Sequence, residues 1–511
     1  MKTPSLTHWD TPQSACRFAL AWGDITPPPN IYHRMWGAAK HERATGIHRP
    51  LRATVAVFAP LADGSRRREE ADAGAGDATE SALSPRRLQI LLALDHCTLG
   101  ATELQQLIAH ISEATGQPRE TILVVFSHTH GAGLMGLERV SLPGGDLIPG
   151  YLKSVAEKSA ALVNEAVVRL APVTIVYGTG RCDLAAHRDF WDGARQLFAC
   201  GFNPGTPADD TVLVARVAGA DGQPVASIVN YACHPTTLAW DNTLISPDYI
   251  GAMREVVERE TGAPCLFLQG ACGELGPREG FVGDPAVADR NGRQLGYAAL
   301  AALTALPAAG TRFEYAGPVV SGATLGAWRH APLDAAAQAR AQHWQLWRWH
   351  EPLRHRPGQP TREQVAADLQ RFQNEEQAAR VAGDAARAAD CRAMAERKTR
   401  LLHRLGQLPP GDRFPLQVVL WRVGDAFWLG AQGESYSHLQ TELRARFPQA
   451  AIIVASIAAD WGAAYLPPAD LYDSGIYQET IAVVAAGSLE QLIAAVAERI
   501  AGALAPAGAT C

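Results

Sequence analysis

The 511-residue chain is expected to fold as an α/β protein, a mixed sheet flanked by helices, and three observations predict it. Short apolar runs that stop at Gly, Pro or His recur along most of the sequence, as strands do. Stretches with helical spacing separate some of these runs, near 101 to 115 and between 248 and 261, which is the rhythm of βαβ units. A composition of 47% hydrophobic and 19% charged residues is that of an ordinary globular protein with material for a large core.

Each element follows from the text. Between 17 and 60, "RFALAWGDITPPPN" and "LRATVAVFAP" read as strands joined by turns. Residues 61 to 85 are small, charged and rich in Gly and Ala, and read as an exposed, mobile insertion. "RLQILLALDHCTL" (87 to 99) and "TILVVFSHTH" (121 to 130) are apolar strands around the first helix. "VTIVYGTG", "TVLVARVAG", "ASIVNYACH" and "APCLFLQGACGELGP" continue the pattern. Residues 331–412 differ in kind, with Ala, Arg, Gln and Glu dominating. They are expected to form a helical insertion, a lid or a homo-oligomer contact, in which Trp344, Trp347 and Trp349 pack the insert or cover the cleft. Residues 1–330 and 413–511 then make up one domain, closed by the amphipathic helix "SLEQLIAAVAERIAGAL".

Charge and cysteine usage exclude several classes of function. The net charge is −6, and the one basic cluster, "SRRRE" at 65 to 69, sits beside its own acidic residues, so no nucleic-acid partner is expected. The opening "MKTPSLTHWDTPQSACRF" has no apolar core and no run is long enough to span a bilayer, which predicts a cytoplasmic protein without stable membrane insertion. Nine cysteines without CxxC spacing fit reduced thiols better than disulfides or a Cys-based zinc module.

The chemistry starts at "TILVVFSHTHGAG". In a strand, residues two apart share a face, so His128 and His130 would point the same way beside a Gly-rich break. His234, Asp95 and Glu434 also sit at the ends of apolar runs, and in open α/β sheets such ends meet at one cleft. Histidines with a carboxylate and no thiolate are a zinc donor set.

These residues carry a family resemblance. "SHTHGAG" resembles the THTHSGP segment of neutral, non-lysosomal ceramidases and their bacterial relatives. "NYACHPTTL" with "SPDYIGAM" resembles their second histidine segment, "FLQGACGELGPR" their QGxxGDxxP loop, and "GAQGE" their GE segment. "ITPPPNIYHRMWG" is similar to their DITPP opening and "YLPPADLYDSGIYQE" to their closing tyrosine segment, so the likeness runs in order from about 17 to 500. It implies a Zn2+ ion held by His128, His234, Glu434 and Tyr465, with His130 beside it as donor or proton shuttle and Tyr477 contacting substrate. It also implies substrate contacts from Arg188 and from the loop containing Cys272, Gly273, Glu274 and Gly276. Asp95 and Asp248 are expected to orient a ligating imidazole or to cap a helix.

The chain departs from that pattern where the family has a catalytic serine, because Gly276 stands there; Glu274 replaces the loop Asp, and Gly131 and Gly133 replace the Ser and Pro after HTH. A glycine cannot be a nucleophile. The expected route is therefore direct attack by metal-bound water, with His130 protonating the leaving amine and Cys272 the alternative nucleophile. The expected substrate is a soluble small molecule cleaved at a linear, non-peptide amide bond. A soluble ester or lactone stands next, ceramide third, and a non-catalytic protein that keeps its metal last.

Overall fold

The computed structural model describes residues 7–61 and 88–505. The expected insertion at 61 to 85 lies outside the described residues but for Leu61. One sheet of twelve strands organises the chain: β1 (Gln13–Asp24), β2 (Arg52–Ala59), β3 (Gln89–Leu94), β4 (Ile122–Phe126), β5 (Ala171–Arg181), β6 (Thr211–Ala218), β7 (Pro224–Tyr231), β8 (Cys265–Gln269), β9 (Trp344–Arg354), β10 (Arg413–Val423), β11 (Ala426–Gln432) and β12 (Ala451–Ala458). Their spatial order is β8-β7-β6-β5-β1-β2-β3-β4-β12-β11-β10-β9.

The sheet is mixed, as the sequence predicts. Three neighbouring pairs are parallel, β3/β4, β7/β8 and β11/β12, and the remaining pairs are antiparallel. Each parallel pair encloses a helix: α1 (Ala101–Thr115), α3 (Tyr249–Thr261) and α7 (His438–Arg446) respectively. These are the βαβ units, because a parallel return needs a crossover and a helix supplies it.

Strand residues alternate between two cores. On β4, Ile122, Val124 and Phe126 face α1 and α2 (Ile148–Val168), while Leu123 and Val125 join the inner cluster with Phe58, Ile228, Trp421 and Trp428. The inner cluster is enclosed because the sheet rolls over on itself. The Asn230 amide on β7 donates to Val454 O (2.8 Å) on β12 and accepts from Val454 N (3.2 Å), joining strands far apart in the sheet order. The outer faces are covered by α1 and α2, by α3 with α4 (Pro285–Thr304), and by α7 with the closing helix α9 (Ser488–Leu504). On α1 the buried Leu104, Leu107 and Ile111 recur at helical spacing, and Gly116 ends the helix at φ 69°, a left-handed position that suits glycine.

One expectation is corrected. Residues 344–354, read as helical, form the edge strand β9, paired antiparallel with β10 from Trp344↔Val423 to Arg354↔Arg413. Trp344 and Leu346 turn to the inner core while Trp347, Trp349 and Leu353 turn to α9, so the period is two and not 3.6. The helical part of this region is a hairpin, α5 (Arg362–Val381) and α6 (Ala385–Gln407), each opened by a side-chain cap, Thr361 with Gln364 and Asp384. The ends of the excursion meet where His355 N donates to Asp412 O (2.8 Å). Among the described residues, no helix is long and apolar enough to cross a membrane.

Candidate metal centre

The three parallel units bring their strand ends to one place. His128 lies just beyond β4, His234 just beyond β7 and Glu434 just beyond β11, and their ligand atoms all lie within 4.8 Å of one another. Binding where parallel strands end is the general behaviour of α/β sheets, and here the roll of the sheet lets separate units converge.

The two rings converge for a reason other than the one the sequence suggested. β4 stops at Phe126, and His128 adopts φ 64°, a left-handed conformation uncommon outside glycine. The turn, not the pleat, brings the His128 and His130 ring centroids to 5.0 Å. Gly131 is needed in that turn: a Cβ there would lie 2.6 Å from Ser246 O.

The donor set has the chemistry of a cation site. His128 Nδ1 donates to Cys97 O (2.8 Å), and His234 Nδ1 faces Cys272 O (2.7 Å) and Leu275 O (3.1 Å). That leaves both Nε2 atoms to face Glu434 Oε2, at 3.3 and 2.9 Å, and His128, although burial opposes it, is held well above the usual histidine range by Cys97 and this carboxylate. A buried carboxylate that faces two imidazole Nε2 atoms is stabilised by a cation between them, a proton or a metal ion. His128 Nε2 and His130 Nε2 are both buried without a hydrogen-bond partner. Burial pushes His234 down to about 4, with the Arg188 guanidinium adding to the effect, so its ring is neutral at neutral pH. Glu434 is held well below the usual carboxylate range by His128 and His234, against the opposing effect of burial. The residues present therefore fit a divalent metal.

Around this core, Trp461 Nε1 donates to Glu434 Oε1. Tyr465 stacks on His234 at 6.3 Å and 22°, with its hydroxyl 3.4 Å from His234 Nε2 and accepting from Arg188 Nη2 at 3.1 Å. Arg188 is buried and also donates to Gly273 O (2.6 Å). His130 packs on Trp36 (5.1 Å), and Tyr477, which opens the short helix α8 (Tyr477–Ile481), meets Tyr465 edge-on at 5.8 Å. Burial, reinforced by His128 and His234, holds His130 well below the usual histidine range.

Other expected site residues lie apart from the cleft. Glu274 is buried with its carboxylate on Ser437 N (2.9 and 3.0 Å) and Ser437 Oγ at the start of α7, and its backbone carbonyl accepts from Arg188 N (2.9 Å). Its side chain ties the loop to the start of α7. Cys272 is buried, accepts from Gln269 Nε2 (3.0 Å), and burial drives its thiol far up, which removes the thiolate a nucleophile needs. Gly273 packs against backbone, since a Cβ there would lie 2.9 Å from Glu434 O, whereas Gly276 has ordinary room, 3.7 Å from Thr236 and 3.8 Å from Arg188. Asp95 does not orient an imidazole; it pairs with buried Arg254 at 2.5 Å. Asp248 caps α3 through Tyr249 N (2.7 Å) and fixes Leu238 N (2.8 Å).

The centre opens into a cleft of two chambers. A smaller one, about 150 Å³, is lined by Cys97, Leu99, Leu134, Met135 and His403. A larger one, about 850 Å³, is lined by Trp36, Trp240, Phe281 and Arg356. Met35, His130, Arg400, Arg404, Trp461, Tyr465 and Tyr477 border both. Helix α6 thus supplies a wall. It is fixed there by Glu396, which pairs with Arg139 (3.0 Å), and by Arg400, which donates to Met35 O (2.5 Å). Trp461 and Arg404 were not legible as site residues, because only the packing of the hairpin against the sheet brings them in.

No family model matches the chain, and no curated protein sequence does. Solved structures do. The neutral ceramidase from Pseudomonas aeruginosa superposes with a TM-score of 0.61 at 16% identity over 98% of this chain and 76% of that one. A ceramidase complexed with C2 gives 0.61 and 16% over 98% and 78%. The fold is therefore ceramidase-like, in agreement with the expected mixed sheet and flanking helices.

Proposed function

We propose that the chain is a zinc-dependent hydrolase that cleaves a non-peptide amide bond of a soluble substrate. The observation that carries the reading is the convergence of the ligand atoms of His128, His234 and Glu434, buried and within 4.8 Å of one another. The fold shared with neutral ceramidases supports it. A zinc ion bound there supplies Lewis acidity toward a carbonyl and a water whose pKa is about 7.

The chain's own residues do the rest. Trp461 and the carbonyls of Cys97 and Cys272 hold the three donors in orientation, the role that outer hydrogen bonds play around a metal. Arg188 donates to the Tyr465 hydroxyl and opposes the burial that holds this phenol well above its ordinary range. His130, with Nε2 free, takes up a proton at that atom and delivers it to the leaving nitrogen. With glycine at 276 and an unactivated thiol at Cys272, neither loop position offers a nucleophile.

The test is metal content with turnover. Purified protein is expected to carry close to one zinc per chain and to release amine from members of an N-acyl panel, with loss of release on chelation and recovery on adding zinc. Zinc without turnover of any amide overturns the hydrolase reading.

A further inference from the structure

The cleft holds more positive charge than its own acids balance. Arg188, Arg397 and Arg404 line the larger chamber, and none of the three has a carboxylate partner among the described residues. Arg397 donates to Thr480 Oγ1 (2.9 Å) and is exposed at the rim. Arg404 is only 7% exposed, yet its side chain meets no anion: Nη1 donates to Ile481 O (2.9 Å) and Nε has no partner. A buried guanidinium with an unsatisfied donor is unfavourable unless something in the site compensates it.

Its position says what compensates it. Arg404 stacks on Trp461 at 4.3 Å, the indole whose N–H donates to Glu434, and it borders both chambers. One indole separates the guanidinium from the carboxylate at the centre, so an anion bound by Arg404 sits close to the bond being cleaved. Counting Glu434 as −1 and Arg188 and Arg404 as +1 each leaves +1 before any divalent cation is added. A neutral lipid gains nothing from that field, whereas an anionic ligand is drawn into it.

We infer that the substrate carries a carboxylate beside its scissile amide, as N-acyl amino acids do, and that Arg404 is the specificity residue that binds it. This rests on the hydrolase reading above for the bond cleaved, but not for the anion bound. The guanidinium fork suits a carboxylate.

The experiment compares N-hexanoylglycine with its neutral counterpart N-hexanoylglycinamide on the zinc-replete full chain, following release of hexanoate. The acid is expected to show a kcat/KM on the order of tenfold higher, the size of a charge-assisted hydrogen bond. In Arg404→Gln that ratio is expected to fall close to one, chiefly through KM, and in Arg404→Lys to stay above one. A wild-type ratio near one, or a ratio untouched by Arg404→Gln, overturns the inference. If neither compound is hydrolysed, the N-acyl panel decides the hydrolase reading and equilibrium binding decides the inference separately. Tighter binding of the acid by about tenfold, lost in Arg404→Gln, upholds it; equal affinity for acid and amide overturns it.

Discussion

Glu434 and Tyr465 are register partners in a two-residue parallel ladder, Glu434↔Tyr465 and Ser435↔Leu466, so the carboxylate and the phenol are delivered to the centre by one backbone pairing. The hydroxyl can then be removed without disturbing the strand. Tyr465→Phe is expected to melt with the wild type and to bind zinc about tenfold more weakly in a competition titration. Unchanged zinc affinity would reduce Tyr465 to a packing residue.

The two histidines of the turn and the one beyond β7 separate by role. His234→Ala removes a donor and is expected to lose both zinc and activity. His130→Ala is expected to keep its zinc and lose 10²-fold or more in kcat, about the size of a general acid–base contribution. Elemental analysis beside steady-state rates distinguishes them, and zinc retained by His234→Ala would mean that the ligand set is wrong.

Burial raises Glu274 to about 7 from its ordinary 4.5, with hydrogen bonds from Ser437 opposing the shift. Below pH 4.5 the folded and unfolded chains both hold this proton. As pH rises to 7 the unfolded chain releases it first, so the stability is lost with rising pH, by on the order of 3 kcal/mol at neutrality and above. Glu274→Gln keeps an acceptor for Ser437 and cannot ionise. Urea unfolding is expected to show the variant gaining that amount on the wild type between pH 4 and pH 8, and a gap independent of pH would count against it.

The Gly-rich loop gives a paired test. Gly273→Ala forces a methyl against Glu434 O and Tyr436 and is expected to destabilise by about 1–3 kcal/mol. Gly276→Ser has room and is expected to stay within about 0.5 kcal/mol of wild type in denaturant melts. The absence of a serine at 276 is then a matter of chemistry and not of space.

What was legible in the sequence follows the range of the signals. Apolar runs marked β3, β4, β7, β11 and β12, and helical spacing marked α1, α3 and α9, because each is a local pattern. The convergence of His128, His234 and Glu434 could be inferred because strand ends of an α/β sheet gather. Strand β9 was hidden by Arg and Pro among its tryptophans, whose alternation counts only once α9 covers one face. Trp461 and Arg404 belong to separate elements that meet over the cleft, and nothing in their flanking residues marks them. The contact between the Glu274 carboxylate and the first turn of α7 was not legible either, because its neighbours resemble a catalytic loop and Ser437 lies far off in the chain.

The hairpin α5–α6 leaves and rejoins the sheet at paired neighbours, Arg354 and Arg413. Its roots are fastened and close together, so a change in its length or sequence alters the cleft wall without displacing the strand ends that carry the donors. Such a plan divides labour along the chain: the floor holds the donors in place, and the hairpin shapes the space in front of them.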